Sequence, residues 1–64
     1  MSDNPDRLLR IAEVKGIVGL GHTSIYARIA AGEFPRPIKV GSRTLWSYRE
    51  VQDWIVRQLR SRAA

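Results

Sequence analysis

At 64 residues the chain is one domain, near the lower limit for folding around a single core, and its 44% hydrophobic content is ordinary for a globular protein. It has no cysteine, so no disulfide or thiolate metal site supports it, and no apolar run approaches the ~20 residues that span a bilayer. Eleven basic residues stand against six acidic ones, a net charge of +5 that suits a polyanionic partner; the plain alternative is a surface made basic for solubility.

The chain opens on "MSDNPDR", acidic and polar and unlike a signal peptide, which is read as a flexible leader over 1–7 of a cytoplasmic protein. The folded domain is placed at 8–62. In "LLRIAEVKGIVGL", Leu8 and Leu9 open a first helix that carries Ile11, Val14, Ile17 and Val18 at helical spacing. Gly19 closes it as a left-handed cap, and Gly16 weakens its interior by about 0.5–1 kcal/mol relative to Ala. A second helix, "HTSIYARIAAG", starts at the N-cap Gly21, buries Ile25 and Ile29, and ends at Gly32. Two short helices around a glycine bend make a helix-turn-helix candidate, the alternative being a plain helical hairpin. His22, Thr23 and Ser24 open the second helix, where donors and the positive dipole end favour a phosphate.

In "EFPRPIKVGSRTLWS", Pro35 and Pro37 forbid helix and enforce an extended entry. Ile38 and Val40 alternate with Lys39, and Leu45 with Thr44 and Trp46, which predicts two half-buried strands turning at Gly41 and Ser42. A lone hairpin is marginal in water, so its apolar face should lean on the helices, projecting Ser42 and Arg43 at the tip. Ser47 and Glu50 then form an S-x-x-E capping box, with Trp46 and Val51 as its hydrophobic staple. The last helix, from Tyr48, carries Val51, Trp54, Ile55 and Leu59 at core spacing and ends among Arg57, Arg60 and Arg62. Trp54 reads as core; Tyr26 and Tyr48 have rings that pack and hydroxyls that remain available.

The order helix, turn, helix, hairpin, helix predicts an α+β fold: a small winged helix-turn-helix with three helices and a two-stranded β-hairpin wing. One histidine, no cysteine and no acid–base pair argue against an enzyme, and no metal or cofactor is expected. A Glu13 or Asp53 base would need a pocket this chain hardly supplies. RNA binding ranks low, because no pair of exposed aromatics sits on a sheet. A protein-interaction module acting on a repressor, integrase or response regulator is the serious alternative.

"LLRIAEV", "GLGHTSIY", "GEFPRPIKVG" and "REVQDWI", over roughly residues 8 to 57, together resemble the AlpA family of phage and prophage regulators, relatives of excisionases with a MerR-like winged helix. The resemblance implies a double-stranded-DNA-binding protein that regulates integrase expression or steers recombination toward excision. It places His22, Thr23 and Ser24 at the start of the recognition helix and Arg43 on the wing. Gly21 stands where relatives commonly have serine, and Ala27 where many have a longer, basic side chain, which shifts base reading toward Tyr26 and Arg28. Thr23 and Ser24 would then meet base edges in the major groove, and Arg43 a narrow minor groove. Arg36, Lys39, Ser42 and the basic end of the last helix would lie along the backbone. A monomer in solution is expected, binding neighbouring DNA sites cooperatively alongside integrase or further copies of itself.

Overall fold

The computed structural model describes residues 6 to 62. Along them run β1 (Leu8–Leu9), α1 (Ile11–Val18), α2 (His22–Ala30), β2 (Ile38–Val40), β3 (Arg43–Ser47) and α3 (Tyr48–Ser61). The expected α+β winged helix-turn-helix is observed with its three helices, but the sheet has three strands, in the order β1-β3-β2. Leu8 and Leu9 do not open the first helix. They form β1, antiparallel to β3, with Leu8 opposite Ser47 and Leu9 opposite Trp46. Leu9 is fully buried and Leu8 46% exposed, the alternation of an extended segment. Helix begins only after Arg10, whose backbone is extended and whose N–H donates to Glu13 Oε1 at 2.9 Å.

Asp6 and Arg7, at the end of the expected leader, make hydrogen bonds to the start of α3. The Arg7 carbonyl accepts from the Tyr48 N–H at 2.8 Å, carrying the β1–β3 pairing on to the start of α3. One Asp6 oxygen accepts from the N–H groups of Arg7 at 2.8 Å and Arg49 at 2.9 Å, and the other accepts from the Ser47 hydroxyl. The Arg7 guanidinium lies 5.2 Å from the centre of the Tyr48 ring, within cation–π range. The rest of the expected leader, residues 1–5, lies outside the described residues.

Half of the expected capping box is present at α3. Ser47 Oγ accepts from the Glu50 N–H at 3.2 Å, while Asp6 supplies the further acceptors at this helix end. Trp46 and Val51, the two sides of the staple, are both fully buried. The turn between α1 and α2 works as the glycines predict, with Gly19 left-handed at φ 74° and Gly21 extended at the N-cap of α2. Helix α2 ends in a Schellman arrangement: Gly32 N–H donates to Ile29 O at 3.0 Å and Glu33 N–H to Arg28 O at 2.7 Å. Gly32 supplies the positive φ, 76°, which that geometry requires.

The core is Leu9, Val14, Ile25, Phe34, Trp46, Val51 and Trp54. Burying an aliphatic or phenyl side chain of this kind contributes about 1.5–3 kcal/mol. Both tryptophans also tie down the proline segment. Trp54 Nε1 donates to Glu33 O at 2.8 Å, Trp46 Nε1 donates to Pro35 O at 3.2 Å, and Phe34 meets Trp54 edge-on at 4.9 Å. The wing therefore leaves the body from a fixed root. Two expectations about the core fail. Ile17 and Leu59 are exposed: Ile17 lies off the face of α1 on which Ile11, Val14 and Val18 meet the core, and Leu59 lies in the last turn of α3, past Ile55. Strand β2 is exposed throughout, with Ile38 at 42% and Val40 at 46%. It is an edge strand that packs chiefly on β3, and the buried Trp46 anchors the hairpin instead of a β2 apolar face.

Candidate functional site

On α2 the buried Ile25 fixes what every other side chain faces, at 3.6 residues per turn. Thr23 and Ala27 lie farthest from the core, and both are exposed. His22 and Tyr26 share one flank, their rings 4.7 Å apart, and Tyr26 stands edge-on to Trp46 of β3 at 6.0 Å. Ser24 and Arg28 share the other flank, where with Ala27 and Glu33 they line a shallow hollow of about 320 Å³. Gly21 offers no capping side chain and the first turn holds no acid, so the leading N–H groups of α2 are left without a side-chain cap.

Between α2 and the wing lies a second hollow, about 360 Å³, lined by Arg10, Ile11, Tyr26, Arg43, Thr44 and Leu45. Arg43, the first residue of β3 after the turn, thus stands toward the hairpin tip and faces α2 across this hollow. Lys39 pairs across the hairpin with Thr44, and its Nζ donates to Thr44 Oγ1 at 2.9 Å, which holds the ammonium along the strand. Ser42 lies exposed in the turn, where Gly41 takes the left-handed conformation at φ 61°. Arg36 is elsewhere. It lines a larger hollow of about 580 Å³ together with Pro35, Pro37, Glu50, Asp53 and Arg57.

The structure therefore brings Tyr26 and Arg43 into one hollow, with His22 stacked behind Tyr26, and sets Thr23 on the outermost face of α2. Ser24 and Arg28 form a separate flank, and Arg36 shares its hollow with two acids. Two residues beside these groups escaped sequence reasoning. Arg10 was hidden because its place depends on β1 ending where it does; Ala27 looked like a lost basic side chain but sits at the centre of the exposed face. The Asp6 carboxyl is held below its ordinary value, first by the Ser47 hydroxyl and then by the Arg49 N–H.

An exposed second helix flanked by a hairpin wing defines a winged helix-turn-helix domain. The chain belongs to the AlpA family: the family model described as "Prophage CP4-57 regulatory protein (AlpA)" matches residues 7–59. It is also 34% identical over 58 residues to the uncharacterized protein ORF88 of Enterobacteria phage P4, covering 89% of this chain and 66% of that protein. The chain thus spans just under two thirds of that relative's length. No solved structure matches it. The family is one of phage regulators and is regulatory rather than catalytic. Among the described residues, no helix is long and apolar enough to cross a membrane.

Proposed function

We propose that this protein binds double-stranded DNA, with α2 in the major groove and the wing beside it, as a phage-type transcriptional regulator or as a factor directing recombination toward excision. The observation that carries this reading is the exposed front of α2, His22, Thr23, Ser24 and Ala27, standing next to a cationic hollow between α2 and β3 of the wing. Thr23 and Ala27 present a hydroxyl and methyl groups on the outermost face, chemistry that suits a thymine methyl and a base edge. Their small size also lets the helix axis approach the bases closely. The uncapped N–H groups of α2 and the surplus of basic residues favour the phosphate backbone on either side.

Selection from a random duplex library, followed by anisotropy titrations of the selected site across a range of salt, tests the proposal. Affinity should fall steeply, with a log–log slope of about −3 to −6 from released counterions. Thr23→Ala should lower the preference for the selected site over random duplex by roughly 1 kcal/mol or more. A slope near zero, or no enriched sequence at all, would sink the reading. A second reading, docking on an integrase or repressor, is favoured by Val56 and Leu59, which lie exposed on α3 beside Arg57 and Arg60. Such a partner would be bound without any duplex.

A further inference from the structure

The hollow between α2 and β3 joins residues from three elements that sequence order keeps apart. Arg10 enters from the edge of α1, Tyr26 from α2 and Arg43 from β3; Ile11, Thr44 and Leu45 complete the lining. Both arginines are exposed, and neither guanidinium makes a hydrogen bond among the described residues. No carboxylate lines the hollow. The contrast with the larger hollow is decisive, because Glu50 and Asp53 there would repel an anion beside Arg36 and Arg57. The Arg10 main chain is already committed, its N–H to Glu13 and its carbonyl to the N–H groups of Glu13 and Val14 at 2.9 and 3.0 Å. Its Cα is therefore fixed while its side chain remains free.

From this we infer that the hollow is a seat for a single backbone phosphodiester of DNA, with Arg10 and Arg43 as its two cationic walls. The inference rests on the DNA-binding reading and sharpens it. A phosphate has the right chemistry: it is a compact anion whose oxygens accept several charge-assisted N–H bonds, and guanidinium groups present planar donor forks to it. The Tyr26 hydroxyl can donate a third bond, since the ring is held between His22 and Trp46 and the side chain lines the hollow. The site's position also decides how it acts. A strand leaving the groove occupied by α2 passes along β3, and the hollow, which runs from Arg43 beside the hairpin turn to Leu45 and across to Tyr26 and Arg10, lies on that path. Arg10 thereby sets register and contributes affinity without reading sequence.

The test uses the selected duplex and a set of copies in which single phosphates are replaced by neutral methylphosphonates. For the parent protein, neutralising one phosphate at the seat should weaken binding several-fold. Arg10→Gln should bind both selected and random duplex more weakly by the same factor, with a salt slope shallower by about 0.9. It should also be indifferent to neutralisation of that one phosphate while remaining sensitive to the others. Arg10→Lys should recover most of the slope, because an ammonium still provides a point charge. Thermal unfolding of each variant shows whether the fold is retained, and Arg10→Ala serves as an alternative if Gln perturbs it. Parent-like affinity, slope and phosphate map in the folded Arg10→Gln variant would overturn the seat and leave the DNA-binding reading standing. A parent protein with no salt-dependent binding to duplex would overturn both.

Discussion

Asp6 receives three hydrogen bonds at once, from the Arg7 and Arg49 N–H groups and the Ser47 hydroxyl, at the end of α3 where the dipole is positive. Each favours the carboxylate, which is why its pKa lies below the ordinary 3.8. A carboxyl with a lower pKa folded than unfolded contributes its stability above the unfolded value and loses it as pH falls through the folded one. Melting curves of Asp6→Asn should accordingly lie below those of the parent at neutral pH. The gap should narrow as pH drops under 3.8. Ser47→Ala removes the N-cap acceptor, at a cost of about 1 kcal/mol, or roughly 4–8 °C in a domain of this size. Parallel curves for parent and Asp6→Asn down to the acid limit would show that the cap is idle. Nothing in the sequence around Asp6 announced this role, because its Ser47 partner lies 41 positions away.

Local signals did announce most of the elements. Ser47 with Glu50 marks the start of α3, and Gly19, Gly21 and Gly32 mark the bend and the end of α2, because caps are properties of three or four consecutive residues. Two residues of strand carry no period, so β1 was absorbed into the helix that follows; only its pairing partner, far along the chain, makes it a strand. The wing strands were legible, but their burial was not, since alternation gives a face and does not say whether anything covers it. On α2 the outward placement of Thr23 follows from its spacing to Ile25, whereas the place of Arg10 beside Tyr26 and Arg43 depends on tertiary structure. Glycine at position 16 in α1 offers a clean check on local accounting. A Cβ there meets nothing within 4 Å and its φ is not positive, so Gly16→Ala should raise stability by about 0.5–1 kcal/mol. Gly32→Ala should lower it, since an L side chain is strained at φ 76° even in open space. Chemical denaturation of the two variants measures both, and a destabilised Gly16→Ala would mean that α1 needs its flexibility.

A domain this small should bury only about 600–1,000 Å² on DNA, at the low end for specific complexes. None of the helices carries a sustained heptad that would drive a coiled-coil dimer. The expected behaviour is a free monomer that binds adjacent sites cooperatively, the wing of one copy meeting the basic end of α3 in the next. Such a head-to-tail contact need not close and can run along a bent duplex. The exposed Ile38 and Val40 on β2 and Leu59 on α3 give that contact an apolar component. Sedimentation of the free protein, with gel shifts on one, two and three adjacent sites, checks it; a stable free dimer, or affinity per site that does not rise with their number, would count against it.

The pairing of Leu9 with Trp46 fastens position 9 to position 46, and both α1 and the whole of α2 lie inside the loop it closes. Closing so long a loop is slow and comes late, since its entropy must be overcome before the contact returns anything. Once closed, the ring acts as a latch. Helix α2 and the segment that leads into the wing both lie between its two ends. Strand β2 also lies within this loop, but it is the sheet's edge strand, paired with β3 alone and bare on its other side, so it can open while the Leu9–Trp46 pairing holds. The domain thus has a stiff grip and a loose fingertip, and the strand that separates them, β3, is shared by both.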